Sequence, residues 1–329
     1  MIERAVTLRR AELDIVRFGA AVVVESPAVF RFEGGGAVQV LQGILTNDLE
    51  KPGDESLTYG AILTPKGMIV FDAWVARSDG DCLLFIPSEA RDAAAELFRK
   101  SVPPRLARVT DETGELRVAW LIGAQAFQTL ARAGLGPLPD SAGRVTAIDT
   151  VRGRLVVGLP PDGAPFGAMM AGPEAALTFA LDLLGADGGV QGDPRLREAA
   201  RILAGWPAIG AEIGDRTLPQ EVRFDSIGGV SYTKGCYVGQ ETVARLHFRG
   251  HTNRELRGLR WDSSDPPDGF SVMNGEREVG AVSSLLVLDD RTLGLAVLRR
   301  EVAIGDTISA GDRLATVVAL PFADREIDG

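Results

Sequence analysis

Short apolar runs, continuous or alternating and broken by Gly, Pro, Asp and Asn, dominate this chain and predict more strand than helix. GAAVVVES and AVFRFEG read as two strands, and AVQVLQGIL reads as a helix entered through a tight turn at Gly34, Gly35 and Gly36. TNDLEKPGDES is rich in turn residues. The segments that follow it, LTYGAILTPKG and MIVFDAWVARSDGDCLLFIP, carry the β-branched and aromatic content of an antiparallel meander. SEARDAAAELFRKSV predicts a helix with Ser88 as N-cap, ended by Pro103 and Pro104. From Glu115 the order partly recurs, since ELRVAWLIG is strand-like and AQAFQTLARAGL helix-like, a weak echo of FRFEGGG followed by AVQVLQGIL.

VTAIDTVRGRLVVGLP adds two strands with a turn near Arg152 and Gly153. PEAALTFALDLLGA predicts a helix with Pro173 in its first turn, and PRLREAARILAG a further helix. Gly, polar and basic residues then concentrate up to Asn253, the least core-like stretch. After Glu255 the pattern is all-β, with turn signals at Asn274-Gly275, Asp289-Asp290 and Ala310-Gly311, as in a small barrel or sandwich. The expected class is α+β, with antiparallel sheets, covering helices and a C-terminal β-barrel. The expected parts are residues 1–112, 113–250 and 251–329.

Length and composition narrow this picture. At about 150 residues per domain, 329 residues predict two or three domains, and 45% apolar with 24% charged residues is ordinary for a folded chain. With 35 Lys and Arg against 45 Asp and Glu, the net charge is −10, and no overall basic field favours nucleic acid. No apolar stretch reaches the roughly 18 residues of a membrane span. The opening MIERAVTLRRAELD lacks an apolar signal core, so the cytoplasm is the expected compartment. Two distant cysteines, Cys82 and Cys236, exclude a disulfide framework and any four-thiolate metal site within one chain.

The sharpest motif is Lys234-Gly235-Cys236-Tyr237-Val238-Gly239-Gln240-Glu241, followed by Arg245 and Arg249-Gly250. It sets one thiol between glycines that can take positive φ or admit a ligand, beside cations that favour thiolate. The bland alternative is a small residue in a glycine-rich turn. Cys82, in DCLLFI, is expected to be packed in a strand. His247 and His251 are four apart, but Arg249 and Gly250 between them point to a loop rather than a metal-binding helix face. Cys236 with His247 also has the residue types of a nucleophile and base, with no orienting partner identifiable. Asn47, Asp48 and Asp72 stand at element ends, where they either hydrogen-bond a heterocycle or cap Asx turns. Trp206, between Gly205 and Pro207, is placed either to line a pocket for a flat ring or to join the core.

The segment from Pro219 to Gly250 resembles the signature of the YgfZ family, K-G-C-(F/Y)-x-G-Q-E. LQGILTNDL, the AILTPKGMIVFDAWV hairpin, RILAGWPAIG and the C-terminal pattern follow in that family's order. The resemblance implies the folate-binding fold shared with the T-protein (aminomethyltransferase) of the glycine cleavage system, with tetrahydrofolate at the centre. It also implies a role in assembly or repair of iron–sulfur clusters, supporting radical enzymes such as those that modify tRNA. Carried onto this chain, it makes Cys236 the functional thiol, aided by Lys234 and Arg245. Asn47, Asp72, Trp206, Tyr237, Gly239, Gln240 and Glu241 are then expected around the folate, with no resident metal. The implied partners are iron–sulfur client or assembly proteins, with no direct nucleic-acid contact and no membrane.

Two departures from the relatives' pattern stand out. Where the methyltransferase branch has an acidic pair, this chain has Phe71-Asp72, which disfavours aminomethyl transfer. Where a pterin-binding Glu is expected, it has Leu203, with Glu221 or Asp225 as neighbouring carboxylates able to compensate. A folate-dependent one-carbon transferase and a non-enzymatic scaffold remain the competing expectations.

Overall fold

The computed structural model describes residues 5–186 and 190–328; Met1–Arg4, part of the opening segment weighed above, lie outside the described residues. Three β-systems organise the chain. The first sheet runs Ser56–Leu63, Ile69–Ser78, Asp81–Ile86, Ala28–Glu33, Arg108–Asp111, antiparallel throughout. The second runs Val190–Gln191, Ala21–Glu25, Leu116–Ile122, Ala168–Pro173, Gly153–Gly158, Val145–Thr150, with only its first pair parallel. In the third, six strands between Arg254 and Val318 close into a barrel, because Arg277–Val287 pairs with both Ser271–Asn274 and Thr292–Arg299.

The two open sheets face one another across an aromatic core that includes Tyr59, Trp74, Trp120, Trp206 and Phe224. This is why Ser56–Leu63 is buried at every position instead of alternating: the reverse face of its sheet is covered by Ala37–Gln42 and Arg91–Ser101. Glu174–Ala186 and Ala126–Arg132 cover the outer face of the second sheet. Helices Arg10–Phe18 and Pro194–Ala204 lie between that sheet and the barrel. The first residues belong elsewhere than to the first sheet, since Ala5–Thr7 pairs in parallel with barrel residues Leu285–Val287 and Ala21–Glu25 joins the second sheet.

The turn at Gly34–Gly36 and the strand–turn–helix echo are both present, with Ala37–Gln42 and Ala126–Arg132 as the paired helices. Three local readings are corrected. Ser88 does not cap the helix: it opens a 3-10 turn, Ser88–Ala90, that runs straight into Arg91–Ser101, so the preceding turn replaces the side-chain cap. Pro173 ends the strand Ala168–Pro173, and the helix starts at Glu174. His247 lies within a helix, Gln240–Arg249, that Gly250 terminates, while His251 lies beyond it. A docked apolar position, Val243, holds that helix despite its polar composition.

Candidate functional site

Between the sheets lies a cavity of about 430 Å³ whose lining includes Asp72, Trp74, Trp120, Phe166, Arg197, Glu198 and Trp206. The hairpin supplies its carboxylate. Ile69–Ser78 alternates across its sheet, and Asp72 falls on the face turned to the aromatic core. The buried Tyr59 hydroxyl donates to Asp72 Oδ2 at 2.8 Å, whereas the buried Oδ1 has no hydrogen-bond partner. Burial pushes the Asp72 carboxyl above the usual carboxylate range, and burial followed by the charge of Asp72 pushes the Tyr59 phenol up.

The walls are aromatic. Trp74 and Trp206 stack with centroids 5.8 Å apart and planes 14° apart, and Phe166 meets both Trp74 and Trp120 edge-on. Arg197 lies 5.0 Å over the Trp120 ring and pairs with Glu25 Oε1 at 3.1 Å; Glu25 Oε2 accepts from Trp120 Nε1 at 3.1 Å. Glu198 is held by Arg201 through two bonds of 2.8 and 2.6 Å. Such a cavity suits a flat ring with apolar faces and a hydrogen-bond donor on its edge.

The Cys236 motif builds a second, separate place. Lys234 Nζ donates to the carbonyl oxygens of Leu45 and Asn47, each at 2.7 Å, and lies 5.2 Å over the Tyr237 ring. Burial lowers its pKa to about 8. The lysine therefore anchors the motif to the turn after Ala37–Gln42. Asn47 reinforces the same junction by donating to the carbonyls of Tyr59 and Gly228, both at 2.7 Å. Gly239 takes φ +82°, and a Cβ there would stand 2.5 Å from the Thr64 carbonyl oxygen, so the motif docks on the hairpin turn through a glycine. Gly235 has open space around its Cβ position. Gln240 Oε1 accepts from the Tyr237 amide at 3.1 Å, and Tyr237 is buried, its phenol pushed up to about 12 by burial and then by Asp225. Cys236 itself is exposed, while Cys82 is packed in the first sheet's core with its thiol pushed up to about 12 by burial.

The residues expected to surround one ligand thus divide. Asp72 and Trp206 line the cavity; Asn47, Lys234, Cys236, Tyr237, Gly239, Gln240 and Glu241 are absent from its lining. Arg245 forms no ion pair or side-chain hydrogen bond among the described residues. Leu203 turns into the core between helix and barrel, away from that lining. Neither proposed substitute reaches the cavity. Glu221 accepts from the Leu218 amide at 3.0 Å, and Asp225 accepts from the Tyr232 hydroxyl. Glu25, Glu89 and Glu198 are the further carboxylates there, and sequence reasoning missed them, along with Tyr59 and Arg197. The available signal was the polar face of Pro194–Ala204, where Arg201 follows Arg197 by four positions and Glu198 by three.

His247 has the company of Asp225, whose Oδ2 is 3.5 Å from Nδ1, and its ring stacks on Tyr232 with centroids 3.6 Å apart. Among the described residues, no group of three or more His, Cys, Asp or Glu could hold a metal ion. No described helix is long and apolar enough to cross a membrane.

Residues 4–138 match the family model described as the GCVT N-terminal domain. The chain is 29% identical to the tRNA-modifying protein YgfZ of Sodalis glossinidius (strain morsitans), covering 92% of each chain. It is also 29% identical to the protein of that name from Cronobacter sakazakii, covering 93% of each. The solved glycine cleavage system aminomethyltransferase T from Bartonella henselae superposes with a TM-score of 0.81 over 96% of this chain and 90% of that one, at 19% identity, and so shares the fold.

Proposed function

Because this chain belongs to the YgfZ family and has the T-protein fold, we propose that it is a tetrahydrofolate-binding accessory factor for assembly or repair of iron–sulfur clusters. Its clients are radical iron–sulfur enzymes, including those that modify tRNA, and its working compartment is the cytoplasm. The observation that carries the reading is a division of labour: an aromatic cavity with one uncommitted carboxylate oxygen, and an exposed motif thiol held outside it.

The cavity residues fit a reduced pterin. Trp74, Trp206 and Phe166 offer ring faces, and Asp72 Oδ1 is an acceptor that a ring N–H would satisfy. Tyr59 fixes the other oxygen and so orients the carboxylate. When bound, tetrahydrofolate supplies a reduced ring able to carry one-carbon units. Cys236 acts at the surface, where a client's cluster or sulfur donor can reach it. With a net charge of −10, tRNA is reached through the client enzyme and not by direct contact.

Asp72 in an aromatic cavity favours a second reading, a folate-dependent one-carbon transferase with Asp72 as its carboxylate. Anaerobic calorimetry with tetrahydrofolate tests the cavity, and saturable one-to-one binding is expected. Cells carrying Cys236→Ser are expected to lose radical iron–sulfur enzyme activity while the protein stays folded. Full client activity in those cells would remove the thiol from the function. Turnover of an aminomethylated carrier by the purified protein would replace the accessory role with the transferase.

A further inference from the structure

A larger groove, about 1420 Å³, opens where the loop carrying Asp215 and Arg216 meets the barrel. Small-molecule pockets occupy roughly 300–1,000 Å³, so this groove has room for a stretch of chain. Its floor carries the Phe270 ring, which is 43% exposed, and the exposed Ala281, while Val279 and Val282 beneath them belong to the buried barrel core. On its rim, Arg254 and Arg299 are direct partners on neighbouring antiparallel strands. The Arg300 amide donates to the Asn253 oxygen, so Arg254 and Arg299 form the adjacent, closely spaced pair with both side chains on one face. Like charges placed directly opposite destabilise a sheet.

Nothing within the described protein neutralises them. Every other arginine from residue 251 onward is ion-paired, and Arg254 and Arg299 are the exceptions, in a chain of net charge −10. Arg216, also without an ion pair among the described residues, lines the same groove. We propose that this groove binds an extended acidic polypeptide segment of a partner protein, with carboxylates seated on Arg254 and Arg299 and apolar side chains on the floor. Of the four carboxylates in the lining, Glu212 is held by Arg201 and Ser284 and Glu221 by the Leu218 amide, which leaves Asp215 and Glu278, and these make a polypeptide fit better than a nucleic acid. They would repel a run of phosphates, whereas a peptide can meet them with a lysine or backbone N–H groups. The proposal stands independently of folate binding.

The test is a random-peptide phage library panned on the full-length protein and counter-selected on the double variant Arg254→Gln/Arg299→Gln. Selected peptides should be enriched in Asp and Glu beside apolar residues. A synthetic winner should bind the double variant at least about tenfold more weakly, and Arg216→Gln more weakly than wild type. Arg299→Glu, which gives Arg254 a cross-strand partner, should raise the thermal midpoint while losing the peptide, separating binding from folding. Panning without acidic enrichment, or winners that bind the double variant equally, would overturn the proposal. Two further results would also overturn it: binding of bulk tRNA abolished by the double variant, which assigns the groove to nucleic acid, and a dimer in sedimentation dissolved by that variant, which assigns it to a second copy.

Discussion

The carboxylate of Asp72 takes one hydrogen bond, from Tyr59, and keeps a second oxygen with none. Its pKa is raised by burial, so folding shifts the carboxyl toward protonation relative to the unfolded chain. The sign follows directly. Ionisation above the folded pKa costs stability, and that cost is absent below the unfolded pKa. Asp72→Asn is therefore expected to raise stability at neutral pH, with the gain shrinking as pH falls through the folded pKa, as urea unfolding at several pH values would measure. The same variant should weaken tetrahydrofolate binding by about 10- to 100-fold, the loss of one hydrogen bond to a charged group. A variant that gained stability and kept full affinity would separate Asp72 from the ligand. Lys234 shows the converse at this scale: its residue type suggested thiol activation, but its ammonium is spent on two backbone carbonyls.

At the scale of elements, the motif is a docking device as much as a chemical one. Gly239 packs on the hairpin turn at Thr64 and Gly67, where a methyl group would meet backbone, whereas Gly235 faces open space. Gly239→Ala should destabilise the protein by about 1–3 kcal/mol, combining left-handed strain with overpacking. Gly235→Ala should fall within about 0.5 kcal/mol of wild type. Denaturant midpoints of the two variants check the contrast, and equal effects would mean that the motif does not rest on the hairpin. Residues four apart at positions 247 and 251 read as a loop because Gly250 lies between them, yet the helix persists to Arg249. Docking of Val243, a tertiary contact, outweighed local propensity.

For the whole molecule, a buried polar network ties the sheets to the barrel. Arg201 donates to Glu212 at 2.9 Å and to Ser284 Oγ at 2.6 Å, and both Ser283 and Ser284 donate to Glu212 Oε1, at 2.7 and 2.6 Å. The Arg201 and Glu212 side chains are 7% and 0% exposed. Glu212→Ala, which leaves the arginine buried without its fully buried partner, should cost about 3–5 kcal/mol. A loss under 1 kcal/mol in chemical denaturation would show that Glu198 alone suffices for Arg201. Glu212 and Ser283 also line the barrel groove, and Arg201 lines the aromatic cavity, so this network forms the wall between the two.

The sequence by itself determined the element types, the antiparallel class, the barrel and the Cys236 motif. Each depends on local periodicity, turn residues or contiguous residue identity, which one stretch of chain carries alone. Tertiary structure decided which candidates share a site. Asp72 and Trp206, distant in sequence, line one cavity with Glu25, Arg197 and Glu198, while Lys234 and Asn47 became structural anchors and Leu203 turned into the core. It also decided that Arg254 and Arg299 stand opposite each other without carboxylates, since strand register and the placement of distant loops set the distance between charges.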